Sequence, residues 1–156
     1  MNPINKTPTI LQSILGQPCC RQRIGEWKSL HLGFGNKIYN DQKSAVPFYG
    51  EWELGTYSSN WEIFHHDQLL LSCKDLKSNM ELDQLLQQIK FKYVKNIKVI
   101  NDKDVLITFK NSIKIYFYAL KNDEATEVVH FFFPDHLYAE YHPQKAWNIE
   151  KSNKLI

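Results

Sequence analysis

GEWELGTYSSNWEIFHHDQLLLSCKD, residues 50–75, is the stretch whose reading decides the fold class. Trp52 and Leu54 alternate with Glu51 and Glu53, and Trp61 and Ile63 alternate with Asn60 and Glu62. A period of two marks a half-buried antiparallel strand. Ser58, Ser59 and Asn60 form a polar turn between the two segments, so the pattern predicts a hairpin centred on two tryptophans. A third run, Gln68 to Cys73, follows across His65, His66 and Asp67. If the tryptophans fill the core, then Glu51, Glu53 and Glu62 point outward together from the opposite face.

Downstream, Ser78 or Asn79 is placed to cap a helix, with Glu81 three residues beyond Ser78 completing a capping box. Leu82, Leu85, Leu86 and Ile89 give that helix one apolar stripe. Three alternating segments follow, Val94 to Ile100, Val105 to Phe109 and Ile113 to Tyr118, joined by short turns as in a meander. Val128 to Phe133 adds a strand that Pro134 stops, and His136 to Tyr141 and Trp147 to Glu150 continue the pattern. Upstream, Thr7 and Pro8 suit the start of a short helix, Ile10, Leu11, Ile14 and Leu15 its apolar face, and Gly16 its end. Trp27 to Phe34 reads as the first strand and Asn36 to Tyr49 as the longest loop. Strands on both sides of a mid-chain helix, without regular alternation, argue for an α+β fold. The expected architecture is a mainly antiparallel, curled sheet, a meander plus the Trp hairpin, with two short helices packed on it. The whole of 1–156 is expected to form one domain.

Composition sets the class. Apolar residues make up 43% and charged residues 23% of the chain, ordinary values for a globular protein, and the 13% aromatic content favours sheet. No run has the length of a membrane helix or the order of a signal peptide, so the expected location is cytoplasmic. Cys19, Cys20 and Cys73 fit no zinc spacing and read as free thiols in a reducing compartment.

Chemical motifs are sparse. Gly33 and Gly35 lack the following helix and Lys-Ser or Lys-Thr of a phosphate loop, and read as a bulge or a twisted strand end. His130, His136 and His142 are evenly spaced, but Pro134 breaks the strand that would align them, so no metal is expected. No nucleophile elbow is present, and strand alternation alone explains Glu51 and Glu53. Lysines interleaved with Phe91, Tyr93, Phe109, Tyr116 and Tyr118 leave an alternative, a sheet that binds single-stranded nucleic acid. Arginine, which dominates specific contacts, is limited to Arg21 and Arg23.

The order of elements, together with Gly50-Glu51-Trp52-Glu53-Leu54, Trp61-Glu62-Ile63 and Val105-Leu106-Ile107-Thr108-Phe109, resembles small immunity proteins encoded beside bacterial polymorphic toxins. These include the immunity proteins of contact-dependent growth inhibition systems. The resemblance spans roughly residues 27–133 and implies a non-enzymatic protein, with no catalytic residue and no cofactor. Its expected partner is the C-terminal domain of its own toxin, a nuclease in the expected case, and not a membrane or a nucleic acid. The free protein is expected to be a monomer. Charge is segregated: residues 51–87 carry seven acids against two lysines, and residues 90–121 carry eight lysines against two aspartates. An acidic hairpin face would steer a basic partner through Glu51, Glu53 and Glu62, with Tyr57 and Phe64 as anchors at its rim. Tyr39, Phe48 and Tyr49 of the long loop form a competing site.

Overall fold

The structure, a computed structural model, describes residues 7–40, 46–57, 60–121, 126–143 and 147–151. Its strands form two antiparallel sheets rather than one. The first holds β1 (Cys19–Ile24), β2 (Leu30–Tyr39), β3 (Phe48–Gly55), β9 (Val129–Phe133), β10 (Leu137–Tyr141) and β11 (Asn148–Lys151), in the order β1-β2-β3-β9-β10-β11. The second holds β4 (Asn60–His65), β5 (Gln68–Ser72), β6 (Val94–Ile100), β7 (Asp104–Phe109) and β8 (Ile113–Tyr118), in the order β5-β4-β8-β7-β6. The meander β6-β7-β8 and the strands after it lie close to where their alternation predicts.

The Trp hairpin is not a hairpin. β3 pairs with β2 and β9, whereas β4 pairs with β5 and β8, so the chain changes sheets between the two tryptophan strands. β4 alternates as expected, whereas in β3 Trp52 is only half-buried and Glu53 is buried beside Leu54. The sequence pattern is in any case equally satisfied by two strands that face each other across a core. Leu32, Phe34 and Leu54 of the first sheet and Trp61, Ile63, Ile107 and Phe117 of the second are buried in one continuous cluster. Phe34 and Phe109 stack across the two sheets with centroids 6.1 Å apart. Burial of each such side chain contributes about 1.5–3 kcal/mol, so the shared core is the main stabilising feature.

Helix α1 (Asn79–Leu86) starts where the sequence places it: the Ser78 hydroxyl oxygen accepts from the Glu81 N–H at 3.2 Å. It covers the edge strand β1. Gln22 Nε2 donates to the carbonyls of Leu86 and Ile89 at 2.6 and 2.7 Å, and Ile24 N–H donates to Asp83 Oδ1 at 2.8 Å. An edge strand covered in this way is closed to pairing with another chain. The N-terminal segment is a six-residue 3-10 turn, Thr9–Ile14, not an α-helix. Pro8 is extended, and Thr7 Oγ1 donates to the Ile97 carbonyl instead of capping. Leu11 and Ile14 plug the core, and Gly16 takes the expected left-handed conformation at φ +82°.

Two further expectations fail locally. The first strand is β1, which is not among the strands expected from sequence; the strand expected from Trp27 begins at Leu30, and Trp27 belongs to a 3-10 turn, Glu26–Lys28. The loop expected over Asn36 to Tyr49 is shorter at both ends, because β2 runs to Tyr39 and β3 starts at Phe48. Residues 41–45, and with them Ser58 and Ser59 of the expected turn, lie outside the described residues. Among the described residues no helix is long and apolar enough to cross a membrane.

Candidate binding surfaces

The face of the first sheet turned away from the core carries an ordered array. Register places Arg23, His31, Gly55, His130, Glu140 and Asn148 side by side on β1, β2, β3, β9, β10 and β11. The neighbouring row is Arg21, Gly33, Glu53, Phe132, Tyr138 and Glu150. The glycines make both rows possible. A Cβ on Gly33 would sit 1.9 Å from Glu53 Oε2, and one on Gly55 would sit 2.8 Å from His31 Nδ1 and 3.3 Å from His130 Nε2. The vacated positions are filled by a carboxylate and two imidazoles lying flat on the sheet. The bulge reading fits Gly35, where the β2–β3 register shifts between Phe34 and Lys37, whereas Gly33 serves close side-chain approach.

Glu53 is buried, which corrects the expectation that it points into solvent beside Glu51 and Glu62. Its Oε1 accepts from Arg21 Nη1 at 2.5 Å and its Oε2 from the Gly50 N–H at 2.8 Å. Burial nevertheless pushes the carboxyl up to about 7, against the opposing pull of Arg21 and the Gly50 amide. The Arg21 guanidinium also lies 4.9 Å above the Tyr49 ring. His31 is held down at about 4, first by burial and then by His130 and Arg21, and its Nε2 shares a 2.8 Å hydrogen bond with Ser29 Oγ. His130 is 3% exposed, with Nδ1 3.0 Å from Glu127 Oε2. The half-exposed Tyr57 ring stacks on it at 4.3 Å, and the Tyr57 N–H binds the other Glu127 oxygen at 2.9 Å. His130 is thus shielded from solvent rather than presented as a base. A cleft of about 440 Å³ opens over this array, lined by Arg21, Arg23, His31, Tyr49, Tyr57 and Phe132 among others.

A second feature stands at the corner where the turn after β1 meets α1. Trp27 is 89% exposed, Leu76 99% and Met80 72%. The turn is tied to the helix approach by Lys28 Nζ donating to the Asp75 carbonyl and by Asn79 Nδ2 donating to the Gly25 carbonyl at 3.1 Å. It is tied to the core by the indole of buried Trp61, which donates to the Lys28 carbonyl at 2.7 Å. Trp27 and Lys28 both sit at φ +57°. Left-handed backbone in residues with a side chain costs of order 1–3 kcal/mol each and persists only where surrounding bonds impose it.

The residues proposed from sequence do not come together. Glu51 lies on the first sheet, where its Oε1 accepts from the Asn36 N–H at 2.8 Å, while Glu62 and Phe64 lie on the second sheet. Glu62 hydrogen-bonds Tyr118, whose hydroxyl burial and that bond push up, and Phe64 packs edge-on against Tyr116 at 5.6 Å. Of the aromatics interleaved with lysine, Phe91 and Phe109 are buried and pack together at 5.0 Å. Of the competing site, Tyr39 is exposed and packs on Phe48 at 5.7 Å. Burial pushes the Cys19 thiol up to about 12, and all three cysteines are free. Among the described residues no group of three or more His, Cys, Asp and Glu side chains gathers as a metal would require.

Strand propensity assigns Trp27 to the following strand, which hides the corner in the sequence. Its parity was the available signal: alternation with Leu30, Leu32 and Phe34 puts residue 27 on the polar side, with Ser29 and His31. No family model, curated protein or solved structure matches the chain.

Proposed function

We propose that this chain is a non-enzymatic binding protein of the immunity type, which neutralises the toxic C-terminal domain of its own system by covering it. The observation that carries this reading is the corner of Trp27, Leu76 and Met80. Trp27 is held in solvent by a strained, well-tied turn, and it and Leu76 and Met80 of the adjoining segment and helix stabilise little in the free protein. They match the anchors of protein interfaces, where tryptophan is enriched and removal of one side chain costs about 2 kcal/mol or more. The docking site therefore moves from the acidic hairpin face to the corner, and Glu51, Glu53 and Glu62 do not steer as a unit. The single-stranded nucleic acid alternative has less support, since Tyr116 and Tyr118 share their face with Glu62, and a carboxylate repels phosphate.

The test is co-expression with the C-terminal domain of the toxin encoded beside the gene. Co-purification as a stable complex, lost on Trp27→Ala in a chain that still folds, is the expected result. A complex that survives Trp27→Ala unchanged would remove the corner from the account.

A further inference from the structure

We propose that the cleft on the outer face of the first sheet binds the carboxylate of a planar, apolar-bodied acid between Arg21 and Arg23. The cleft is read without the immunity proposal, which enters only through the toxin-domain probe. Arg21 shows what the site accepts: one guanidinium nitrogen already grips a carboxylate, that of Glu53, at 2.5 Å. A guanidinium has five N–H donors, and among the described residues Arg21 gives only this one side-chain hydrogen bond. Arg23 is largely exposed at the lip of the opening, where a single long contact of 3.8 Å ties it to Asp83. Glu53 and Asp83 each face one of the two guanidinium groups, and the N–H donors they leave unused offer an anion its hydrogen bonds.

The remaining walls define the body of the ligand. Tyr49, Tyr57 and Phe132 present rings around a volume of about 440 Å³, within the range of small-molecule sites. The floor is polar but closed, because Glu53 and the two imidazoles fill the positions that Gly33 and Gly55 leave open. Planar forks on a carboxylate favour bidentate recognition, and flat aromatic walls favour a flat body. The acid is either a free small molecule or a carboxylate side chain carried by a bound protein.

The experiment is an NMR titration of the full-length, isotope-labelled chain at constant ionic strength, with sodium benzoate, inorganic phosphate and the toxin domain as separate probes. The amides of Gly33, Gly50 and Gly55 and the Nε signals of Arg21 and Arg23 are followed. Saturable benzoate shifts at these groups, weakened at least about tenfold by Arg23→Gln, support a free acid. Equal response to phosphate supports the anion site and removes the demand for a planar body. Response to the toxin domain alone, weakened by Arg23→Gln, assigns the carboxylate to the partner. Silence at these groups with all three probes, or shifts that Arg23→Gln leaves unchanged, overturns the proposal. Arg23 is an exposed strand residue, so its replacement leaves the fold intact for each arm.

Discussion

Replacing Trp27 separates what the corner does for folding from what it does for binding. The side chain is 89% exposed, so truncation to alanine removes almost no buried area. Its expected effect on stability is within about 0.5 kcal/mol. Glycine at the same position also removes the cost of a left-handed residue, about 1–2 kcal/mol. Against this stands roughly 0.5–1 kcal/mol of extra chain entropy in the unfolded state. Trp27→Gly is therefore expected to equal or exceed the parent by up to about 1.5 kcal/mol, a rise in Tm of at most about 3–6 °C for a chain of this size. Binding moves the other way. Loss of an interface tryptophan costs about 2 kcal/mol or more, close to a 30-fold rise in Kd. Urea unfolding followed by circular dichroism, with calorimetric titration against the toxin domain, reads both quantities. Destabilisation of Trp27→Ala by more than about 2 kcal/mol would refute the reasoning, because it would mean the indole is buried in the free protein.

Stability should also report on the flat polar array. Glu53, raised from 4.5 to about 7, contributes stability that is full at low pH and lost as pH rises through about 7. His31, lowered from 6.5 to about 4, contributes stability that is present above 6.5 and lost as pH falls toward 4. The two oppose each other between 4.5 and 6.5, so Glu53→Gln should steepen the rise of stability with pH there, as urea unfolding across pH will measure. Gly33→Ala should push the Glu53 carboxylate off Arg21 and cost about 3–5 kcal/mol, checked by the same unfolding assay. Ser78→Ala should cost about 1 kcal/mol through loss of the cap on α1, visible as a lower urea midpoint. Trp61→Phe removes the bond to the Lys28 carbonyl, and faster hydrogen exchange at the Ser29 and Gly25 amides should follow as the turn loosens.

Element type was legible wherever one side of a segment meets the core. Val94 to Ile100, Ile113 to Tyr118 and the Ser78 cap fall within a residue or two of their predicted places, because local alternation and capping chemistry determine them. Strand partnership was not legible. Trp52 and Trp61 present the same pattern whether their strands pair or oppose each other across a sandwich, since alternation records a buried face and not a neighbour. Glu53 misled for a related reason: its parity puts it on the outer face, but Arg21 and Tyr49 cover that face there. Trp27 was hidden because strand propensity takes no account of the two left-handed residues that turn the chain before Leu30.

The most direct measurement is calorimetric titration of the chain into the C-terminal domain of the toxin encoded beside it, with the toxic activity assayed in parallel. The account predicts a one-to-one complex that abolishes the activity, and a Kd about 30-fold higher for Trp27→Ala. Absence of a toxin gene beside it, absence of heat on titration, or retention of the chain on single-stranded DNA at physiological ionic strength would contradict it.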